Sequence, residues 1–487
     1  MSPSYLFYDI ETTGLNKAFD QVLQFAAIRT DTELNEVDRH TITVKLRPDI
    51  IPSPQAIITN RMSMTELLSG MCEFEAIRQI HQLLNEPETI SLGYNTLGFD
   101  DEFLRFSFYR NLLPPYTHQY QKNCRRMDLL PISIMYWLYK RKVLNWPQIN
   151  GKVSLKLEHL GSANNLIAGQ PHEALVDVGA TVKLARIFFK EKKMWHYLEG
   201  YFEKATDALR VAEIPTSLQS AAGAHQMGLM INSEYGPQQN YQVPVLSIGA
   251  SIPYTNQTLW LRLDLPSLQE TKPETLDQTT WVIRKRYGEP GILLPPLDRY
   301  WKHLDKDRQK IVEQNLDWVR SISELFQQII NYHREYRYPY IPNLDPDAAL
   351  YQVGFFSPSD ERSCRKFHKA SLDKKISLIN RFKSHEARVL ATRVLFRNFK
   401  ETLPQIFVEE YLTFLSRVNP PRADDALLDY KGERRTTPVG ALAEIHQLRQ
   451  SQELDGYQRQ LLDELEDYIK TTFPKRSAGR QLTLDGQ

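Results

Sequence analysis

Two acidic side chains, Asp9 and Glu11, stand two positions apart in a largely apolar stretch near the start of the chain, shortly before Gly14. The stretch has the composition of a β-strand, and alternate side chains of a strand lie on one face, so we expect the two carboxylates about 6–7 Å apart on the same side. Neighbouring carboxylates repel each other unless a cation lies between them. Because all these ligand atoms are oxygens, the expected cation is a hard divalent ion such as Mg²⁺ or Mn²⁺.

Two acids at this spacing, taken alone, usually lie on an exposed strand face. Their interpretation therefore depends on a second acidic site, Asp100. Residue 100 follows a predicted strand at 89–95 and begins a predicted helix at 100–111. An aspartate at a helix start also caps the helix and offsets its dipole, a role compatible with metal binding if one oxygen stays free. Asp101 is the alternative for the same role, because the motif doubles the aspartate.

A third acidic site lies in the predicted helix at 172–191, where Asp177 is surrounded by small and apolar residues. An acid in such a stretch needs a partner if it faces the interior. A metal shared with Asp9 and Glu11 would provide that partner, and His172 at the helix start would reach the same space. Taken alone, His172 would more often be an ordinary surface histidine.

Together these residues form a set with a specific chemistry: Asp9, Glu11, Asp100, Asp177 and His172. Four carboxylates can hold two divalent ions about 3.5–4 Å apart, which is the arrangement for phosphodiester cleavage. One ion lowers the pKa of a bound water, and the other stabilises the leaving 3′ oxygen. A neutral histidine, whose ordinary pKa is about 6.5, accepts the proton of that water near neutral pH.

The periodicity of the chain predicts the elements that position this set. Residues 1–190 have the pattern of a mixed α/β domain that opens with a three-stranded antiparallel meander. Alternating strand patterns among Pro- and Gly-rich turns follow, closed by one long amphipathic helix at 306–336, and the remainder is helical. The elements expected in the first domain are strands at 5–12, 22–30, 40–46 and 89–95 and helices at 73–85, 100–111, 126–141 and 172–191.

Composition limits the class of protein. A chain of 487 residues is too long for one hydrophobic core, and 41% hydrophobic with 24% charged residues is typical of soluble globular domains. The net charge of +1 favours neither a nucleic-acid partner nor its absence. We find no run of about 18 apolar residues and no signal-peptide pattern. Cys72, Cys124 and Cys364 fit no zinc spacing and suit a reducing cytoplasm, where we expect the protein.

The motifs D-I-E-T-T-G, F-D and H-x-x-x-x-D together resemble the histidine-bearing branch of the DEDD 3′→5′ exonuclease superfamily. Further segments resemble bacterial exonuclease I: residues 24–31, 93–116, 145–147, 157–160 and 354–356. The resemblance implies an α/β RNase H-like exonuclease domain, then an SH3-like α+β domain, then an all-helical C-terminal domain. The boundaries expected are 1–190, 191–346 and 347–474, with a flexible tail at 475–487.

The resemblance also implies an activity, namely processive 3′→5′ hydrolysis of single-stranded DNA to 5′ mononucleotides in DNA repair and recombination. Mg²⁺ would be the cofactor, with two ions bound and Mn²⁺ as a substitute. Carried over to this chain, the motif makes Asp9, Glu11, Asp100 and Asp177 the metal ligands and His172 the general base.

Substrate contacts are expected from cationic and aromatic residues interleaved over 105–142, because stacking faces with cations suit a single strand. The basic residue before Leu-Glu-His-Leu is Lys156, where the family pattern has arginine; lysine keeps the charge and loses the bidentate fork. The substrate-binding candidates are Glu11, Lys156, Arg110, Tyr109 and Arg126.

The expected partners are single-stranded DNA and, by the resemblance, the acidic C-terminal tail of single-stranded DNA-binding protein, for which a basic pocket including Arg308 would serve. The segment 481–485 resembles the peptide by which repair enzymes hold the sliding clamp. Its matching residues are Gln481, Leu482 and Leu484, and Asp485 replaces the usual aromatic. A monomer without membrane contact is expected.

Two alternatives stay open. The five-residue site does not itself read the sugar, so an exoribonuclease of the same superfamily would carry the same acids. A non-catalytic scaffold that binds DNA ends belongs to a different class, and the intact set of five argues against it. Matched DNA and RNA strands test the first alternative, and chelator-sensitive release of mononucleotides excludes the second.

Overall fold

The structure, a computed structural model, describes residues 3–167, 174–400, 403–451 and 453–473. Along the chain it contains a five-stranded mixed sheet with helices on both faces, a six-stranded antiparallel sheet, and a helical region. No helix within these ranges is long and apolar enough to cross a membrane.

The first sheet consists of five strands: β1 (Ser4–Thr12), β2 (Val22–Thr30), β3 (Glu36–Thr43), β4 (Thr89–Leu92) and β5 (Arg125–Arg126). Their order is β3–β2–β1–β4–β5, so the strand of Asp9 and Glu11 is central. The antiparallel meander predicted for β1, β2 and β3 is confirmed, whereas β4 runs parallel to β1 and β5 parallel to β4. A separate hairpin follows, β6 (Gln148–Ile149) and β7 (Lys152–Val153).

The helices of this region are α1 (Pro54–Asn60), α2 (Met64–Ser69), α3 (Glu73–Leu84), α4 (Asp100–Arg110), α5 (Leu129–Tyr139), α6 (Leu157–Ala163) and α7 (Ala174–Phe189). The predicted helices at 73–85 and 100–111 are confirmed as α3 and α4. α5 begins three residues later than expected because Arg125 and Arg126 pair with β4. α1 and α2 were missed because each is too short to show a helical period.

β1 is covered on both faces, and its alternate residues enter two different cores. One face carries Tyr5 and Phe7 and packs on α5 and α7, while the other face packs on α3 and α4. The face of Tyr5 and Phe7 continues to Asp9 and Glu11, because side chains of a strand alternate. The two acids therefore face α7, the helix that carries Asp177.

The second sheet consists of β8 (Thr216–Ser220), β9 (Gly223–Ile231), β10 (Gln242–Ala250), β11 (Thr258–Arg262), β12 (Val282–Lys285) and β13 (Ile292–Leu294). Its order is β12–β11–β10–β9–β13, with β8 paired to β9. The accompanying helices are α8 (Lys192–Glu199), α9 (Lys204–Ala212), α10 (Leu276–Thr279), α11 (Asp298–Trp301), α12 (Lys306–Ser321) and α13 (Ser323–Glu335).

The single helix predicted at 306–336 is wrong, because the structure divides it into α12 and α13. The backbone leaves the helical region at Ile322, where φ is −111° and ψ is 46°. The two halves pack on different neighbours, α12 beside residues 266–270 and α13 beside β10. A sequence period that runs unbroken through Ile322 does not reveal this change of neighbour.

The helical region contains α14 (Leu350–Val353), α15 (Pro358–Lys369), α16 (Leu372–Leu378), α17 (His385–Phe399), α18 (Gln405–Val418), α19 (Pro438–Ser451) and α20 (Gly456–Thr472). α20 packs on α1 and α2 with a buried apolar stripe, as its period predicts. The stripe comprises Leu461, Leu462, Leu465 and Ile469.

Buried charges join the helical region to the first. Arg397 of α17 donates through Nη2 to Asp49 Oδ2 at 2.9 Å and to Asp347 Oδ2 at 2.5 Å, and all three side chains are buried. Burial opposes the charged form of Asp347, yet the guanidiniums of Arg393 and Arg397 hold its pKa well below the ordinary range. Removal of one partner from such a pair leaves an uncompensated buried charge.

Arg397→Met is therefore expected to lower the free energy of unfolding by about 3–5 kcal/mol, because Asp49 and Asp347 lose their shared cation. The urea midpoint followed by tryptophan fluorescence measures the loss. Arg388→Met, at an exposed arginine of the same helix, is the matched control and should leave the midpoint unchanged. Equal midpoints for both variants would show that the buried pair does not stabilise the docking of these regions.

Candidate active site

Three carboxylates converge between β1 and α7. Asp9, Glu11 and Asp177 each offer an oxygen atom, and these oxygens all lie within 4.8 Å of one another. The first two come from one face of β1, and the third comes from the first described turn of α7, which packs against β1. All three side chains are half-buried. The convergence predicted from their spacing is thus present.

The loop after β4 carries Asp100 to the same edge of the sheet, because β4 runs parallel to β1 and both strands end there. Gly93 lets this loop pass close to β1, since a Cβ at that position would lie 2.4 Å from the carbonyl oxygen of Tyr8. Asp128, at the start of α5, fixes the loop by accepting the backbone N–H of Asn95 at 2.9 Å. The N-terminus of α4 is thereby placed beside the carboxylates.

Asp100 lies in the first turn of α4, and its Oδ1 accepts the backbone N–H of Ile10 at 3.2 Å. It is not one of the three acids that meet within 4.8 Å. Burial and then the charge of Asp9 raise the pKa of Asp100 well above its ordinary value. The structure therefore places Asp100 next to Asp9, where a cation would relieve the repulsion between them.

Asp101 has the opposite environment. It is fully buried, its Oδ1 lies 2.7 Å from His118 Nε2, and its Oδ2 accepts from Arg105 and, at 2.7 Å, from Arg126. Burial raises the pKa of a carboxyl, but Arg105 and Arg126 outweigh it and hold the pKa of Asp101 well below its ordinary value. Both oxygens are engaged by cationic or ring donors, which leaves Asp100 as the acid of this pair that faces the site.

Asp9 and Glu11 have strongly raised pKa values. Burial and then the charge of Asp177 raise the pKa of Asp9 to about 8, and burial followed by Asp9 and Asp177 raises the pKa of Glu11 to about 9. All the charges that cause these shifts are carboxylates. By contrast, neighbouring arginines outweigh the burial of Asp49 and lower its pKa. A half-buried group of acids with an all-oxygen donor set fits a hard divalent cation such as Mg²⁺ or Mn²⁺.

These raised pKa values predict a pH dependence of metal binding. In the unfolded chain Asp9 and Glu11 lose their protons around pH 4, whereas the folded metal-free protein holds them until about pH 8–9. The metal-free protein should therefore lose stability as the pH rises through this window, and a cation that replaces the protons should restore it. The increase in melting temperature on adding Mg²⁺ should be larger at about pH 8.5 than at about pH 5.5.

Differential scanning fluorimetry with and without Mg²⁺ at both pH values measures this difference. Asp9→Asn is the control. It removes one of the titrating carboxyls, so the Mg²⁺-dependent increase in its melting temperature should differ less between the two pH values. An equal increase at both pH values in the unmodified protein would contradict the expected exchange of protons for metal.

A cleft of ≈ 890 Å³ opens beside Asp177. Lys156 lies on its wall with 73% of its side chain exposed, and its Nζ is 3.6 Å from Glu158 Oε1. Tyr94, from the loop after β4, is half-buried and adds aromatic surface, whereas Tyr241, from the segment before β10, borders the cleft but is only 6% exposed. Sequence reasoning missed Tyr241, because only its tertiary contact with Val153 of β7, to whose carbonyl oxygen it donates at 3.3 Å, brings it to this cleft. A cleft of this size with a cation and an aromatic ring suits a short stretch of nucleic acid.

Arg110 and Tyr109, expected to bind substrate, lie in the interior. Arg110 is fully buried and donates to the carbonyl oxygens of Ala18 and, at 2.9 Å, of Asp20. The ring of Tyr109 is also buried and stacks on Phe356 of the helical region with 5.5 Å between centroids. A buried side chain presents no surface to a nucleic acid, so the structure contradicts both expected contacts. Interleaved cations and aromatics are equally the composition of an interface between domains.

Arg126 is likewise removed from direct contact with substrate. Its guanidinium donates through Nη1 to Asp101 at 2.7 Å and through Nη2 to Glu289 at 3.4 Å, and the residue is 9% exposed. The structure therefore contradicts the predicted substrate contact at Arg126. Of the substrate-binding candidates, Lys156 lines the cleft and Glu11 is half-buried among the converging acids.

Four predicted residues fall outside the described part of the chain: His172, Gln481, Leu482 and Leu484. Their roles stay predictions. Arg308 is described, and it is engaged within the fold rather than lining a free basic pocket. It donates through Nη2 to Asp264 Oδ2 at 2.6 Å and to the carbonyl oxygen of Gln242 at 2.8 Å.

The family model described as exonuclease matches residues 6–185, and the model described as exonuclease I C-terminal domain matches residues 344–472. Exodeoxyribonuclease I of Haemophilus influenzae is 32% identical over 389 residues, which cover 74% of this chain and 79% of the relative. This chain belongs to the exodeoxyribonuclease I family. The Escherichia coli member is 28% identical over 383 residues, which cover 74% of this chain and 78% of that protein.

Solved structures share the fold. Escherichia coli exonuclease I in complex with a dA16 oligonucleotide aligns with a TM-score of 0.84 over 97% of this chain and 100% of that chain, at 24% identity. A structure of SSB/exonuclease I with the inhibitor CFAM aligns with a TM-score of 0.81 at 23% identity. The predicted family and fold class are confirmed, with a mixed-sheet exonuclease domain first and a helical region last. As a member of this family the chain is a nuclease, and thus a hydrolase.

Proposed function

We propose that this chain is a processive 3′→5′ exodeoxyribonuclease that degrades single-stranded DNA to 5′ mononucleotides by two-metal-ion hydrolysis. The observation that carries the proposal is the convergence of Asp9, Glu11 and Asp177 within 4.8 Å, with Asp100 next to Asp9. The relatives support it by their name, exodeoxyribonuclease I, and solved relatives hold dA16 and dT13 oligonucleotides.

The chain's own residues take distinct roles in this proposal. The four carboxylates would hold two Mg²⁺ ions, and Mn²⁺ would substitute because it prefers the same oxygen ligands. The bound ions supply a water of lowered pKa and stabilise charge on the leaving 3′ oxygen. His172 would accept the proton of the attacking water as a neutral imidazole. Glu11, the acid of the set nearest the end of β1, would also face the terminal nucleotide.

Lys156 is proposed to bind a backbone phosphate in the cleft beside Asp177, because it is a largely exposed cation on the cleft wall. Lys156→Ala should raise KM for oligonucleotides and lower the slope of log affinity against log salt by about 1, with kcat nearly unchanged. Lys302→Ala, at an exposed lysine away from this cleft, is the control. A salt slope that is the same in the two variants would exclude the phosphate contact.

The direct test of the function is a time course on a 5′-labelled single strand with Mg²⁺ and an excess of unlabelled trap strand. We expect stepwise shortening from a free 3′ end, release of 5′ mononucleotides, and continued degradation of bound strands despite the trap. Blocking the 3′ end or adding a chelator should stop the reaction. Equal degradation of free and blocked strands would overturn the proposed polarity.

A matched RNA strand tests the first alternative, and degradation of RNA at the rate of DNA would favour an exoribonuclease. Binding of DNA ends without any release of mononucleotides would favour the non-catalytic scaffold. The names of the curated relatives favour DNA as the substrate.

Partner binding in DNA repair in the cytoplasm is a further part of the proposal. A groove of ≈ 640 Å³ has an apolar floor that includes Met135 and Met194 and a rim of cations that includes Lys193 and Arg299. We assign it to the acidic tail of single-stranded DNA-binding protein, because opposite charge and an apolar floor suit such a peptide; a solved relative was studied together with SSB. Lys193→Glu should weaken binding of a labelled acidic peptide, whereas Lys310→Glu, at an exposed lysine that does not line the groove, should not. Equal affinities would exclude this groove.

The contact of residues 481–485 with a sliding clamp is proposed from the motif alone. Deletion of residues 481–487 should reduce recovery of the chain on immobilised clamp. Unchanged recovery would remove this partner.

A further inference from the structure

A cluster of buried charges lies behind the acidic site. We call it the Asp101 cluster and define it by five residues, namely Asp101, Arg105, His118, Arg126 and Glu289. Asp101 is its centre, in contact with Arg105, with Arg126 Nη1 at 2.7 Å and with His118 Nε2 at 2.7 Å. Arg126 Nη2 extends the cluster to Glu289 Oε1 at 3.4 Å. The proposed mechanism gives none of these residues a task.

The members come from separate parts of the fold that meet at one point. Asp101 and Arg105 belong to α4, Arg126 belongs to β5, His118 lies in a short turn before β5, and Glu289 follows β12 of the second sheet. Their meeting point is the first turn of α4. The same turn carries Asp100, so the cluster anchors the element that delivers the third acid.

The geometry of a helix couples the two aspartates. Successive helical residues diverge by roughly 100° around the axis, so Asp101 points into the cluster while Asp100 points toward Ile10 and Asp9. Because the partners of Asp101 fix its direction, they also fix the rotation of the turn. The backbone N–H of Asp101 is held as well, by the carbonyl oxygen of Thr96 at 2.9 Å.

Net stability does not by itself account for these buried charges. Removing a carboxylate and two guanidiniums from water is unfavourable for each ion, and buried ion pairs often give no more stability than apolar residues of the same volume. Charge-assisted hydrogen bonds do impose direction on the groups they join. Direction is what a metal ligand requires, since ligands must be held within about 0.5 Å of their productive positions.

We propose that the Asp101 cluster positions Asp100 for metal binding, and that Glu289 makes this positioning depend on contact with the second sheet. The inference rests on the proposed two-metal function. Asp101 is accordingly a positioning residue and does not touch the substrate or the metal. The part of the chain around β12 then contributes to the active site without lying in it.

The test measures metal requirement and substrate affinity separately in the full-length chain. Asp101→Asn keeps the volume and removes the charge, and it should raise the Mg²⁺ concentration for half-maximal rate about 10–100-fold while KM for the oligonucleotide stays the same. Glu289→Gln should raise this Mg²⁺ concentration by a smaller factor, roughly 2–5-fold, because Glu289 acts through Arg126. Calorimetric titration with Mn²⁺ in the absence of DNA measures metal affinity without turnover. The affinity should fall more in Asp101→Asn than in Glu289→Gln.

The matched control is Glu203→Gln, which breaks the exposed pair between Glu203 and Arg125, the neighbour of Arg126 on β5. It should leave the Mg²⁺ requirement unchanged. If Asp101→Asn does not fold, Arg126→Lys, which keeps the charge but loses one donor of the fork, supplies the same measurement.

A lowered urea midpoint with an unchanged Mg²⁺ requirement in Asp101→Asn or Arg126→Lys would overturn the inference, because the cluster would then serve stability alone. An unchanged requirement in Glu289→Gln would overturn the part assigned to the second sheet. If the unmodified chain released no mononucleotides with Mg²⁺, the proposed function itself would fail, so the two failures are distinguishable.

Discussion

Asp9→Asn is expected to lower the rate of nucleotide release by about a thousandfold or more, while the affinity for single-stranded DNA stays nearly the same. Asp9 belongs to the close group with Glu11 and Asp177, and its charge also raises the pKa of Asp100. Its loss should disturb both ions, and each supplies several kcal/mol of transition-state stabilisation. In the proposed function DNA binding depends on other residues, such as Lys156, so it should survive.

Single-turnover release of mononucleotides measures the rate. Fluorescence anisotropy with a labelled strand in the absence of Mg²⁺ measures the affinity. Glu36→Gln, at an exposed acid on the same sheet, is the control and should have the unmodified rate. The folded variant should be at least as stable as the unmodified chain without metal, because the carboxyl removed has a pKa raised to about 8. A rate above a tenth of the unmodified value would refute a ligand role for Asp9.

His172→Ala is expected to lower the rate by about 10²–10⁴, the usual contribution of a general base. The prediction follows from the motif, in which His172 stands five residues before Asp177. A histidine that acts as a base must be neutral, so the rate of the unmodified chain should fall below about pH 6.5 and that part of the pH profile should be absent in the variant.

This effect is measured from the rates of both proteins between about pH 5.5 and 8.5. The Mg²⁺ concentration must saturate each protein at every pH. Saturation matters because the carboxylates also bind protons in this range. His446→Ala, at an exposed histidine of α19, is the control. Full activity of His172→Ala near pH 7 would show that another group accepts the proton.

The sequence predicts those parts of the site that follow from local periodicity. Asp9 and Glu11 share a face because a strand has a period of two, and the acid on a helix with small residues, Asp177, meets them because that helix packs on the same face of β1. These relations need only the type of each element and the order of the chain. The motif that spans them then identifies the family.

The sequence does not decide between Asp100 and Asp101, because the two are chemically identical neighbours. Their tertiary contacts distinguish them, because Arg126 and His118 bind Asp101 whereas Asp100 faces Asp9. Arg110 was misinterpreted for the same reason, because an arginine that satisfies backbone carbonyls inside the fold has the same sequence pattern as one on a binding surface.

We expect the carboxylates of Asp9, Glu11, Asp100 and Asp177 to bind a pair of divalent ions. Anomalous diffraction tests this binding most directly, with a crystal soaked in Mn²⁺ and in an oligonucleotide that has a free 3′ end. Two anomalous peaks about 3.5–4 Å apart, both bounded by these four side chains, are the predicted result. A fully occupied oligonucleotide with no anomalous peak among the four carboxylates would contradict it.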